Sequence, residues 1–412
     1  MELDKISGGV TASQGFKAAG AAAGIKYTGR DDMAMIVSDV PCTAAGVFTS
    51  NVVQAAPVRW DRNIVRNEKT NRSVRAVVVN AGIANACTGE DGMNACRETA
   101  EETGRVLGIG SDQVILGSTG VIGAYLPMDR VCAGVQLLKD ALADTEAASD
   151  RASRAIMTTD TVNKEIAVQL TLDGKTCHIG AISKGVGMIE PNMCTMLCFV
   201  TTDAAVSPAM LDKALRYAVA DSYNMISVDG DMSTNDTLVI LANGLAGNEE
   251  IAEENEDYVL FAETLRAMLI EQARKHAADG EGATALFEVR VEHADTREHA
   301  RILAKSVVNS PLTKAAVYGH DANGGRILCA LGYAGVTFDP DLVDLTIKSA
   351  AGEVPLYRAG AKLDYDEEFA TRVLSEKEVC ALCDMHMGAE EAVAWGCDLS
   401  YDYVKINADY RS

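Results

Sequence analysis

Lys184-Gly-Val-Gly-Met-Ile-Glu-Pro-Asn-Met-Cys-Thr195-Met-Leu-Cys-Phe-Val-Thr-Thr-Asp203 joins a glycine-rich turn and a lone basic side chain to an apolar run of β character. Gly185 and Gly187 permit backbone angles that other residues resist, and Pro191-Asn192 favours a turn just before the strand expected at 196–201. Thr195 stands at the junction, and its residue chemistry leaves two readings open. In one it is a strand threonine whose hydroxyl is satisfied locally. In the other the bond before it is cut, and Thr195 begins a new chain with its own α-amine beside its hydroxyl. That amine, with an ordinary pKa of about 7.7–8.0, is partly neutral near pH 7. Nucleophile and base would then belong to one residue, and no histidine would be needed.

The composition around this stretch is that of a soluble globular protein. The chain has 412 residues, 48% apolar and 23% charged, which is long enough for two or three domains. A net charge of −22 argues against nucleic acid and anionic membrane surfaces as partners, since both recruit clustered Lys and Arg. No apolar run reaches the roughly 18–20 residues of a membrane span, and the N-terminus has no basic start followed by an apolar stretch. Eleven scattered cysteines read as reduced thiols, so a cytoplasmic location is expected.

Helical periodicity is clearest at 92–107, 129–147, 208–221, 258–278 and 297–316. Strand patterns fall at 74–79, 165–171, 177–182, 196–201, 237–242 and 286–291. Their irregular alternation predicts an α+β fold, with helices layered on sheets that are largely not parallel. Three parts are expected: a layered domain over 1–203, a helix-rich subdomain over 204–285 and a C-terminal α+β domain over 286–412.

Other motifs offer chemistry. Gly117-Ser-Thr119-Gly120 can aim backbone N–H groups or a hydroxyl at a developing oxyanion, or can be a plain tight turn. Asn85, Thr88 and Gly89 form either a polar corner or a helix start. Ser227–Thr237 is rich in Asp but has Ile240 where a calcium loop needs its bidentate Glu, so it reads as a hydrogen-bonded turn supporting a site. Cys380 and Cys383, with His386 nearby, suggest zinc. However, the pattern around them is a strand, where residues three apart face opposite ways. No metal and no cofactor are expected.

These motifs, in this order, resemble the ornithine acetyltransferase family of arginine biosynthesis, whose bifunctional members are also glutamate N-acetyltransferases. The resemblance runs from Gly9-Val-Thr-Ala-Ser-Gln-Gly-Phe-Lys-Ala-Ala-Gly20 and Gly46-Val-Phe-Thr-Ser-Asn51 through Thr119-Gly120, Met157-Thr-Thr-Asp160 and Lys184–Thr195. It continues through Ser227–Thr237, Gly280-Glu-Gly-Ala-Thr284 and Ala394-Trp-Gly-Cys-Asp-Leu399 to Tyr403-Val-Lys-Ile-Asn407-Ala-Asp-Tyr-Arg-Ser412. It implies an αββα-type layered sandwich and a precursor that cuts itself between Cys194 and Thr195. The resulting α and β chains would remain together as an α2β2 heterotetramer.

By the same resemblance Thr195 is the nucleophile and Thr119 and Gly120 form the oxyanion pair. Thr158, Lys184, Thr195, Glu281, Asn407 and Ser412 contact the substrate. The implied reaction moves acetyl from N-acetylornithine to glutamate in a ping-pong cycle, and some members also accept acetyl-CoA. A self-processing aminopeptidase or amidase, with water as acceptor, is the competing reading. Cys194 stands where the family carries alanine, and 80–85, Ala285 and Gly324 also depart from its pattern.

Overall fold

The computed structural model describes residues 2–190 and 196–409. Along the chain run β1 (Asp4–Ile6), β2 (Phe16–Ala21), β3 (Met33–Phe48), α1 (Ala56–Val65), β4 (Val74–Ile83), α2 (Gly89–Leu107) and β5 (Val114–Val121). There follow α3 (Met128–Ala141), α4 (Glu146–Ala155), β6 (Lys164–Leu172), β7 (Lys175–Lys184), β8 (Leu197–Thr202), α5 (Pro208–Ala220), β9 (Ile226–Ser227) and β10 (Thr237–Ala242). The rest comprises α6 (Glu256–Ala278), β11 (Leu286–Ala294), α7 (Arg297–Asn309), α8 (Pro311–Tyr318), α9 (Gly324–Gly332), β12 (Asp344–Ser349) and β13 (Gly352–Arg358). The chain ends with β14 (Ala361–Lys362), α10 (Glu367–Leu374), β15 (Glu378–Asp384), β16 (Glu390–Cys397) and α11 (Tyr401–Ala408). The fold is α+β. It divides into two compact units, one holding the described residues of 1–185, 192–223 and 232–272, the other those of 186–191, 224–231 and 273–412.

The first unit is organised by β3, which is long enough to serve two pairings. Residues 33–37 pair with β4, while 43–48 pair with β10, and the register shifts in between. Pro41 lies in that irregular stretch, where a residue without an N–H costs the ladder nothing. Among the described residues the sheet order is β1-β6-β7-β8-β10-β3-β4-β5, with β2 added beside β3. Most neighbours run antiparallel; β8/β10 and β4/β5 are parallel.

Alternation along β3, β4 and β5 then builds two cores. Ala34, Ile36, Val77, Val79 and Ile115 face one with Phe199, Val239 and Ile182, strand packed against strand. Met33, Met35, Val78, Val114 and Leu116 face the other with Cys96 and Ala100 of α2 and Val131, Val135 and Leu138 of α3. Helix α5 packs on β3 through its buried Leu211, Ala214, Leu215 and Ala218 face. The result is helix, sheet, sheet, helix.

In the second unit the described residues form a sheet ordered β14-β13-β12-β15-β11-β16-β9. Cys380 is half-buried and Cys383 fully buried on β15, on opposite faces as the strand pattern requires. Among the described residues no cysteine is in a disulfide.

Two predicted helices are in fact pairs. The periodic stretch 129–147 breaks after Ala141, and α4 starts afresh with the Thr145 hydroxyl accepting from Ala148 N at 3.3 Å. The stretch 297–316 breaks at Ser310. Pro311 pushes that residue out of helical geometry, and its hydroxyl caps α8. Among the described residues, no helix is long and apolar enough to cross a membrane.

Candidate active site

Strand β7 ends at Lys184, whose side chain is nearly buried. Its ammonium donates to the Thr158 hydroxyl at 2.8 Å and the Thr119 hydroxyl at 3.2 Å, and stands 3.9 Å from Asp160. The sequence reading placed these three residues, Lys184, Thr119 and Thr158, in one site; the fold brings them together from three separate segments.

What holds the group is Asp160. One of its oxygens accepts from Lys164 Nζ at 2.9 Å and from Gly185 N at 2.8 Å, and the other from Thr158 N at 3.2 Å. Burial pushes this carboxyl up, but the charges of Lys184 and Lys164 and the Gly185 N–H outweigh it. Asp160 is held well below the usual carboxylate range. A buried carboxylate shared by two lysines is stable only when its lone pairs are met in this way.

Thr119 and Gly120 lie at the end of β5, beside the irregular end of β4. The register pairs Ala81 with Thr119 and Gly82 with Gly120. Gly120 has φ 127, and a Cβ there would lie 2.2 Å from the Gly82 carbonyl carbon, so no other residue fits without moving the turn. Ser118 donates to Asn80 Oδ1 at 2.6 Å, while Asn235 Nδ2 donates to the carbonyls of Ser118 at 2.8 Å and Ala84 at 2.6 Å. Thr237 N donates to Met196 O at 2.8 Å, tying the start of β10 to the residue after Thr195. Next to it Asp236 is fully buried, and burial drives its carboxyl well above the ordinary range, against the pull of Ser233, Thr49 and Lys184.

In the second unit, Glu281 is buried and accepts from Asn407 Nδ2 at 2.8 Å, while its own N–H donates to Val186 O at 2.8 Å. Gly187 lies against it; a Cβ at 187 would sit 2.4 Å from Glu281 Cδ. Asp229 accepts from the N–H groups of Met188 at 2.6 Å and Ile189 at 2.7 Å, and from the Tyr403 hydroxyl at 3.2 Å. Val228 N and Glu190 N add backbone bonds to Ile189 O and Asp231 O. The Asp-rich turn thus clamps residues 188–190, just upstream of the expected cleavage point. Asn85 Nδ2 donates to Gly92 O at 3.1 Å, and Thr88 to Asn85 Oδ1 at 2.9 Å, so that corner serves the entry to α2.

Thr195, Cys194 and Ser412 lie outside the described residues. Sequence reasoning named Thr158 but passed over its neighbour Asp160, although an Asp four residues before the buried Lys164 at the start of a strand was there to see. Asp229, Asn235 and Asp236 were seen only as parts of a turn.

Residues 17–412 match the model of the ArgJ family. A protein of Symbiobacterium thermophilum named arginine biosynthesis bifunctional protein ArgJ is 52% identical over 412 residues, covering both chains completely. The chain belongs to the ArgJ family. A second relative of the same name, from Thermotoga neapolitana, is 48% identical over 404 residues, 97% of this chain and 99% of its own. The crystal structure of arginine biosynthesis bifunctional protein argJ from Bacillus halodurans is 42% identical over 51% of this chain and 97% of its own, with a TM-score of 0.49. This ArgJ-family enzyme is thus related over its whole length to proteins named for arginine biosynthesis, and the region of Lys184, Thr119 and Thr158 falls inside the matched residues.

Proposed function

We propose that this enzyme transfers an acetyl group from N2-acetyl-L-ornithine to L-glutamate through an acetyl-Thr195 intermediate. The observation that carries the reading is Lys184, whose ammonium is hydrogen-bonded to the Thr119 and Thr158 hydroxyls and stands beside an Asp160 carboxyl held well below the usual carboxylate range. An ammonium so placed suits the α-carboxylate of an N-acyl amino acid. By the family resemblance Thr119 and Gly120 take the oxyanion, Glu281 meets the distal ammonium of ornithine, and Asn407 is a further substrate contact.

In the forward half-reaction Thr195 Oγ attacks the acetyl carbonyl while the Thr195 α-amine takes the hydroxyl proton. The tetrahedral oxyanion collapses, the C–N bond breaks, and ornithine leaves with the proton on its amine. Glutamate's amine then attacks the acetyl-threonine ester, N-acetylglutamate departs, and Thr195 Oγ regains its proton. The same residue must first be freed by cleavage between Cys194 and Thr195.

Incubation with N-acetylornithine alone should leave one acetyl group on the Thr195 peptide, read by mass spectrometry, with a matching burst of ornithine. An unmodified Thr195 peptide alongside full turnover would rule out the intermediate. Ornithine release that is as fast with water as with glutamate would make the protein a hydrolase instead.

A further inference from the structure

At the far end of the C-terminal sheet, three neighbouring strands bring together side chains that the acetyl-transfer reading does not use. Glu292 of β11 is in register with Asp384 of β15, and Asp384 with Asp344 of β12. His293 follows Glu292 in the chain, and His386 lies two residues beyond Asp384. The ligating atoms of His293, Asp384 and His386 all lie within 4.8 Å of one another. His293 Nδ1 stands 2.8 Å from Asp384 Oδ1, and His386 Nδ1 3.4 Å from the same oxygen. The two imidazoles stack, with centroids 6.2 Å apart and planes within 11°. From these distances and this chemistry we infer that His293, Asp384 and His386 bind a divalent transition metal of the zinc, nickel or cobalt type, with Asp344 orienting His386.

The backbone supports this arrangement. His293 (φ 54) and His386 (φ 50) both adopt the left-handed conformation, uncommon for residues other than glycine. Both are held there by main-chain bonds. Met385 N donates to Glu292 O at 3.0 Å, and Met387 N and Gly388 N donate to His293 O at 2.7 and 2.9 Å. Met385 is fully buried between them in sequence, which anchors the loop. The result aims two rings at one carboxylate from two different strand ends.

The fourth residue matters for which nitrogen can ligate. Asp344 Oδ2 is 3.3 Å from His386 Nε2, and Asp344 is itself fixed by the Ala359 N–H at 2.7 Å. A proton on Nε2 directed at Asp344 leaves the Nδ1 lone pair facing Asp384. This is the carboxylate–histidine–metal relay that sets ring orientation and ligand basicity in metal sites. Two facing lone pairs need either a proton or a cation between them. Bonds of about 2.0–2.2 Å to a tetrahedral ion would put neighbouring ligand atoms somewhat over 3 Å apart. The His386 contact already meets that spacing, and the His293 contact needs to open by less than an ångström.

Glu292, in register beside Asp384, adds negative charge next to the group. Two imidazoles and one carboxylate suit borderline transition ions. Calcium and magnesium favour oxygen-rich sets. Three protein ligands with the rings partly exposed leave water to complete the shell. His386, which the Cys380/Cys383 spacing had suggested as a zinc partner, is placed instead with His293 and two aspartates.

The test uses the whole protein, stripped with EDTA and titrated with Ni2+ and separately with Zn2+ by calorimetry. Midpoints of unfolding are recorded with and without metal. Wild type should take up one equivalent and unfold at higher temperature with it, while Mg2+ does nothing. His293→Asn and His386→Asn should each weaken that binding at least tenfold, and Asp344→Asn should weaken it about 10–100-fold as an outer-shell loss. His299→Asn, at an exposed histidine outside the group, should bind as wild type does. Acetyl transfer by the metal-free variants reports that they are folded. If wild type binds no more tightly than the His293→Asn/His386→Asn double variant, or binds nothing, the site does not exist.

Discussion

Lys184 and Asp160 show how one side chain's setting can depend on another: Asp160 is bonded to Lys164 and the Gly185 N–H and stands 3.9 Å from the Lys184 ammonium. Lys184→Met, which keeps the stem and removes the charge, should lose the charged hydrogen bonds proposed for the substrate carboxylate. Such bonds are worth about 1.5–3 kcal/mol, or roughly 10–150-fold in kcat/KM for N-acetylornithine. An unchanged KM and kcat would remove Lys184 from the substrate. Asp160→Asn acts differently, because it leaves two buried lysines facing a neutral amide. Breaking a buried ion pair from one side costs about 3–5 kcal/mol, so the unfolding midpoint should fall by several degrees along with activity. Since Asp160's carboxyl is depressed in the folded protein, its contribution to stability is complete above the unfolded value of about 3.9. It is lost as pH falls from there toward the native value. The wild-type minus Asp160→Asn difference in stability should therefore be flat near neutrality and shrink below that pH; a difference that grew on acidification would reverse the assignment. Residue chemistry and local turn signals drew attention to Thr195 and Lys184 but left the threonine's role open, and the family resemblance supplied a role for both. Asp160 could not be singled out in this way, because its meaning comes from Lys164, Lys184 and the Gly185 N–H, which meet only through the sheet.

At the scale of elements, the sequence is most legible where a single periodicity rules and least where a short break resets it. The strands at 74–79, 165–171, 177–182, 196–201, 237–242 and 286–291 were all found, because β-branched and apolar runs bounded by turns have few other solutions. Helices 129–147 and 297–316 were each read as one, whereas the Thr145 and Ser310 hydroxyls begin new helices within them. Strand β3 was not found: its residues 33–37 pair with β4 and 43–48 with β10, a fact of topology. The end of β5 gives the sharpest test at this scale. Gly120→Ala must move the Thr119-Gly120 turn, because the added Cβ would meet Gly82 backbone rather than a flexible side chain. Loss of one oxyanion donor costs about 10²–10³ in kcat, and that is the drop expected, with KM little changed. Gly123→Ala is the control. It also has a positive φ, of 83, but nothing lies within 4 Å of its Cβ, so it should strain the backbone without moving the turn and keep kcat within a few-fold. Equal losses in the two variants would mean that strain, and not displacement of the turn, is what matters.

For the molecule as a whole, the topology says what a cut before Thr195 would leave. Strand β7 comes before that bond and β8 after it, and the two are paired antiparallel, with Lys184 opposite Leu197. On its other side β8 lies parallel to β10, which pairs with β3 from the N-terminal part. The second piece therefore supplies two central strands of a sheet whose outer strands belong to the first. Separating the pieces would break two full ladders and open the core shared by Ile182, Leu197, Phe199, Val239 and Ile36. Burial of this kind contributes about 25 cal/mol per Å² of apolar surface, so the pieces should not part while the fold persists. The purified protein should give two bands of similar size on a denaturing gel, the smaller-numbered residues in one and a chain starting at Thr195 in the other. Under native conditions the same sample should elute as one species, at the size of two copies of each piece if the proposed α2β2 assembly forms. Thr195→Ala should give a single uncut band, elute at the same native size and release no ornithine. An intact wild-type chain that turned over acetylornithine would refute self-processing as a requirement, and two pieces that separated without denaturant would contradict the interleaved sheet.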